Sequence, residues 1–234
     1  MLDAEKNKRT ARLAGAWWML FIMIAPFSYL YVDEKLLISG NAAATQSNIN
    51  SNIALFWAGT VAFLAGYSCF ILLAKTLCKL FVSVDYRLTR WMTGFVITGT
   101  AIVLMGKISE IIAANAGSLE DAACLFKLRP YIEMAGELFW GLWLIPLAML
   151  IFKSDYVPKT IGVALLVAAS YHLAAFGIFF TKGADVSAHP VLAALGIGEL
   201  AMALWLLVMP FQLHFLTCIL NFCLSKLKKY SCKP

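Results

Sequence analysis

Charge is scarce in this chain: only 14% of its 234 residues are Asp, Glu, Lys or Arg, and 62% are hydrophobic. Soluble domains carry about a quarter charged residues, so a soluble globular protein is excluded. No polar stretch is long enough to fold by itself, which excludes a soluble domain held by an anchor. No CxxC pair occurs among the six cysteines Cys69, Cys78, Cys124, Cys218, Cys223 and Cys232. A membrane thiol oxidoreductase needs paired cysteines near one face, and that pairing is missing. HExxH and ExxH spacings are absent, no Gly-rich phosphate loop occurs, and no small-residue serine motif of an intramembrane protease is found. A b-type haem would need paired axial histidines, and His172 has no partner at matching depth. The apolar run after Lys6, Lys8, Arg9 and Arg12 has no small-x-small cleavage site, so it reads as a retained helix.

What the chain does have is apolar runs of bilayer length, about 20 residues each. Six are delimited by polar breaks, at roughly 12–32, 53–81, 91–114, 130–152, 158–180 and 190–209. The expected fold is therefore an all-α, polytopic transmembrane bundle. Its predicted organisation is a six-helix membrane domain over 1–210 and a basic amphipathic tail over 211–234. In the tail, His214, Thr217, Asn221, Ser225 and Lys228 recur at helical spacing among apolar residues, either extending helix 6 or lying at the interface. Residues 33–52 and 115–129 read as polar loops, with a short surface helix expected near 42–49. Pro130 suits a first helical turn.

The net charge of +6 does not point to nucleic acid, because the basic residues sit in short loops and at the termini. With the N-terminus inside, inner segments hold fourteen basic residues and outer loops hold four, Lys35, Lys127, Arg129 and Lys182. That asymmetry orients the bundle with both termini cytoplasmic.

Charges inside the spans carry the functional argument, because each is costly at membrane depth. Lys107 and Glu110 lie on the third helix, Glu133 and Glu137 on the fourth, His172 on the fifth and Glu199 on the sixth. Counting about 1.5 Å per helical residue places all six in one layer in the outer half of the bundle. No comparable charge is expected deep in the first two helices. Lys107 with Glu110, three apart on one helix, or with Glu137 is also read as a structural ion pair. Together the six predict a polar, ligand- or ion-accessible cavity, with Glu137 and Glu199 as its deepest carboxylates. His172 could titrate. The first functional expectation is a small transporter or ligand-binding membrane protein, with no metal assigned and the cofactor open. The alternatives are a membrane-embedded enzyme acting on a lipid or quinone-like substrate and a structural or regulatory partner of another membrane protein. Expected partners are the lipid bilayer, a small molecule or ion, and a second copy of the chain.

The motifs ARLAGA, AAATQSNINSNIALFWAG, SDYVPKTIG and GELAMALWLLV together resemble a bacterial membrane family, domain of unknown function 4386, over roughly 11–208. The resemblance implies a multi-helix bacterial inner-membrane protein with no assigned activity, so it carries over no catalytic residues. Glu199 falls within its GEL motif.

Overall fold

The computed structural model describes residues 2–154, 157–183 and 197–208, with side chains from residue 7 onwards. All regular elements among these residues are helical. In chain order they are α1 (Leu2–Pro26), a π-helical segment (Phe27–Val32), α2 (Asp33–Leu36), α3 (Ala42–Ser51), α4 (Ile53–Phe81), α5 (Tyr86–Ala114), α6 (Leu119–Lys153) and α7 (Lys159–Lys182). A further apolar helix, α8, covers Ile197–Val208. Five helical stretches are long and apolar enough to cross a membrane: Asn7–Leu36, Ile53–Phe81, Tyr86–Ala114, Leu119–Lys153 and Lys159–Lys182. The described part of the expected sixth helix is too short to span by itself. The expected amphipathic tail lies outside the described residues, as do the loop after α7 and residues 155–156.

Two expected loops turn out largely helical, and local chemistry explains both. The expectation of a loop over 115–129 rests on Pro130 as a helix start. Instead α6 begins at Leu119, where Ser118 accepts a hydrogen bond from Asp121 N (3.1 Å) and Glu120 and Asp121 occupy the positive end of the helix. Pro130 therefore lies inside α6, where it removes one backbone donor. At the start of the 33–52 stretch, the first span does not stop at Val32. Pro26 breaks the regular hydrogen-bond ladder, the next six residues take the wider π turn, and α2 continues to Leu36. The expected surface helix is present as α3, with Asn41 Oδ1 accepting from Ala44 N at 3.0 Å.

Two ends of the bundle can be distinguished. At one end α4 and α5 are joined by a turn in which Asp85 caps α5, accepting from Arg87 N (3.0 Å) and Leu88 N (3.1 Å). Lys153, ending α6, reaches the same carboxylate at 2.6 Å. The Lys153 ammonium and the capping N–H groups hold the Asp85 carboxyl below its usual range. Lys159 donates to the carbonyls of Ile151 (3.0 Å), Phe152 (2.8 Å) and Ser154 at the end of α6, so α6 and α7 form an antiparallel hairpin. The opposite end carries α2, α3 and the start of α6.

Most of the core lies towards the Asp85 end. Trp18 of α1 packs on Trp143 of α6 at 5.4 Å between ring centroids, and Phe70 of α4 meets Trp143 edge-on at 5.2 Å. Leu73, Leu77, Phe81, Leu147 and Ile151 complete this buried cluster. In hydrocarbon there is no water to drive helices together, so close approach through small residues matters more. Gly66 lets α4 touch Ala25 of α1, and a Cβ there would stand 2.8 Å from the Ala25 Cβ. Gly198 likewise admits the α7 backbone: a Cβ would come 2.7 Å from the Ala164 carbonyl. The dense half thus leaves the polar half, at the α2–α3 end, as the place where charge collects.

Candidate functional site

Helix α6 is the spine of the site. Arg129, Glu133 and Glu137 are spaced four apart, so they stand one above another on a single face. Each turn meets a different neighbour. Arg129 Nη2 lies 2.5 Å from Asp33 Oδ2 and 2.7 Å from Glu133 Oε1, and Arg129 Nε lies 3.3 Å from Glu110 Oε2. Lys107 of α5 donates to both oxygens of Glu110, at 2.9 and 3.0 Å, and to Asp33 Oδ1 at 3.4 Å. The four groups close a ring of alternating sign, Asp33–Lys107–Glu110–Arg129, that ties α2, α5 and α6 together. Glu133 hangs from the ring at Arg129. The ring is dry: the side chains of Lys107, Glu110 and Asp33 are 5%, 1% and 8% exposed, whereas Glu133 is 45% exposed.

The alternation decides whether such burial is tolerable. A lone ion in this position would be lost from water without return, whereas each ring member has two partners of opposite sign. Lys107 also lies 5.2 Å from the Phe63 ring centroid of α4, which adds a cation–π contact on its remaining side.

One turn along α6, Glu137 takes part in a second group. Its Oε2 lies 2.5 Å from His172 Nδ1 on α7, and His172 Nε2 lies 3.4 Å from Glu199 Oε1 on α8. A neutral imidazole donates from one nitrogen only. Two flanking carboxylates are satisfied together only by an imidazolium, or by a proton carried on one carboxylate. The group thus joins α6, α7 and α8 through one imidazole held between two carboxylates.

The six residues singled out from sequence thus fall into two groups. Lys107, Glu110 and Glu133 belong to the ring and its pendant, and Glu137, His172 and Glu199 form the triad. Lys107 and Glu110 are indeed an ion pair, embedded in a larger network. Two members of the ring were missed. Asp33, expected to open a loop, is instead a buried residue of α2, because the helical run continues past Val32 to Leu36. Arg129 was assigned to a loop by the same reading that started the helix at Pro130. The Ser118 cap followed by Glu120 and Asp121 was the available signal, since a helix begun there puts Arg129 four residues before Glu133.

The ring borders an open cleft of about 620 Å³, within the usual size of a small-molecule site. Asp33, Arg129 and Glu133 line it, with Tyr29, Tyr131 and the 37–41 connection among its walls. The triad residues do not line it.

A bundle of long apolar helices with ionised groups clustered between them defines a multi-pass helical membrane protein. The chain belongs to the family described as Domain of unknown function (DUF4386), which it matches over residues 13–209. No curated protein and no solved structure matches it.

Proposed function

We propose that this protein holds a small polar molecule or ion in the cleft at the α2–α6 end of the bundle, as a small transporter or ligand-binding protein of the inner (plasma) membrane. The observation that carries the reading is the meeting of a buried charge ring with an open cleft at Arg129, Asp33 and Glu133. Structural ion pairs need no such opening. A ligand site needs an opening lined by a few convergent polar groups.

In this reading the bundle has six spans, completed by residues 190–209, with both termini cytoplasmic. The surplus of basic residues at the Asp85 end supports that orientation and puts the cleft on the outer side. Residues 1–210 are the membrane domain, and 211–234 form a basic amphipathic tail at the inner interface. The bilayer is its immediate partner, a second copy of the chain is a further one, and nucleic acid is not. Glu137, His172 and Glu199 act as the proton-responsive element beside the ligand site.

A second reading rests on the 2.5 Å contact between His172 and Glu137, which is the geometry of an acid–base pair. It makes the protein an enzyme acting on a lipid or quinone-like substrate. The third possibility, a structural or regulatory partner of another membrane protein, draws on the tail alone.

Native mass spectrometry of protein extracted with its surrounding lipids tests the first reading. A defined added mass on the wild type, weakened in Glu133→Gln, supports a ligand in the cleft. Bare protein under all extraction conditions sinks it. A co-purifying molecule chemically altered by the wild type and untouched by His172→Ala would move the case to the enzyme.

A further inference from the structure

We infer that the cleft is built for a zwitterion: a ligand carrying an ammonium and an anionic group, such as the phosphoethanolamine headgroup or its free counterpart. This rests on the reading of the cleft as a ligand site and specifies what that site takes.

The charges around the cleft are paired in kind as well as in space. Its lining includes three carboxylates, Asp33, Glu34 and Glu133, and two cations, Lys127 and Arg129. A simple anion would face three carboxylates, and a simple cation would face a guanidinium and an ammonium. Only a molecule bearing both signs meets complementary charge at each end.

The free valences point the same way. Arg129 spends Nε on Glu110 and Nη2 on both Asp33 and Glu133, which leaves Nη1 with no partner among the described residues. Guanidinium forks suit carboxylate and phosphate oxygens. Glu133, the half-exposed member, accepts only from Arg129 and keeps its second oxygen open. The Arg129–Glu133 pair, 17% and 45% exposed at the cleft, is therefore the imprint of a zwitterion: an incoming anion takes the guanidinium edge and an incoming ammonium takes the carboxylate. At the rim, Glu34 on α2 and Lys127 on α6 repeat the arrangement. Both are exposed and neither has a side-chain partner among the described residues. Tyr29 and Tyr131 supply aromatic surface for an ammonium to rest on.

The test uses the full chain in nanodiscs made of phosphatidylethanolamine and phosphatidylglycerol in equal amounts. Lipid remaining on the protein after transfer to detergent is identified by native mass spectrometry, with free phosphoethanolamine titrated as competitor. The probe variant is Glu34→Gln with Lys127→Gln, because two exposed, unpartnered side chains can be neutralised without disturbing the fold. Melting at the wild-type temperature verifies that.

Retention of phosphatidylethanolamine at least about tenfold over phosphatidylglycerol, weakened severalfold in the double variant, is expected. Displacement by free phosphoethanolamine assigns the site to a soluble zwitterion, and resistance to it assigns the site to the lipid headgroup. Equal retention of the two lipids, or wild-type retention by the double variant, overturns the zwitterion while leaving a ligand site in place. Retention of phosphatidylglycerol alone does the same. If nothing is retained and free phosphoethanolamine does not bind, both this inference and the ligand-site reading fall.

Discussion

Removing Lys107 should destabilise the fold more than removing Lys107 and Glu110 together. The ammonium is buried and bonded to both Glu110 oxygens at 2.9 and 3.0 Å and to Asp33 at 3.4 Å. In Lys107→Met, Glu110 keeps only Arg129 Nε at 3.3 Å, and Asp33 keeps only Arg129 Nη2. One guanidinium then faces three carboxylates, where two cations faced three before. Breaking a buried pair by deleting one partner costs about 3–5 kcal/mol, chiefly because the remaining charge stays buried. Changing Glu110 to Gln in the same chain removes that stranded charge and leaves Arg129 with two carboxylates, Asp33 and Glu133. The double variant should therefore recover a substantial part of the loss, with a coupling of about 1–3 kcal/mol in a double-mutant cycle. Reversible unfolding of purified protein in mixed micelles, titrated with a denaturing detergent, measures both numbers. Stability of Lys107→Met within about 1 kcal/mol of wild type, a smaller loss than unpaired burial allows, would refute the closed ring. So would a double variant less stable than the single one.

Other expectations follow from particular contacts. Trp143→Ala empties a site that is 1% exposed and packed by Trp18 and Phe70, and should cost about 3–5 kcal/mol in the same unfolding assay. Gly198→Ala drives a methyl into the Ala164 carbonyl and must shift α8 from α7. It should cost about 1–3 kcal/mol, and Glu199→Gln should then have little further effect, which a combined variant checks. Asp85→Asn retains a capping oxygen but loses the charge partnered with Lys153. Because the folded state lowers the pKa of this carboxyl, its charge stabilises above the ordinary Asp range near pH 4, and that stabilisation is lost as pH falls through the lower folded value. The variant should thus be less stable than wild type at neutral pH and converge with it below about pH 4, as thermal melts across pH will reveal.

The membrane bundle was legible because long apolar runs have few alternatives, and the charges within them stood out against that background. Their grouping was not legible. Sequence spacing ties residues on one helix, as with Lys107 and Glu110, but the pairing of His172 with Glu137 and Glu199 depends on how α6, α7 and α8 turn about their axes. The two missed ring members share a cause. Proline was read as a boundary at Pro130, while Pro26 was allowed only to bend its helix. In the structure Pro130 is carried inside α6 and the chain beyond Pro26 widens into a π turn. Both errors removed charge from the spans by shortening them.

Helix α6 has a mechanical consequence. Its 35 residues make a rod of about 52 Å, against a hydrocarbon thickness of about 30 Å. One end holds Arg129 in the cleft, and the other holds Lys153 on Asp85. A single element thus carries ion pairs towards both ends of the bundle, with Pro130 and Pro146 as the only two places inside it where the backbone ladder lacks a donor. A shift at the cleft end has two routes: it bends the rod at those prolines, or it arrives at the Asp85–Lys153 latch as a displacement on the far face. The cleft and the Asp85–Lys153 latch are thus mechanically linked through α6, which acts as a lever between the two ends of the bundle.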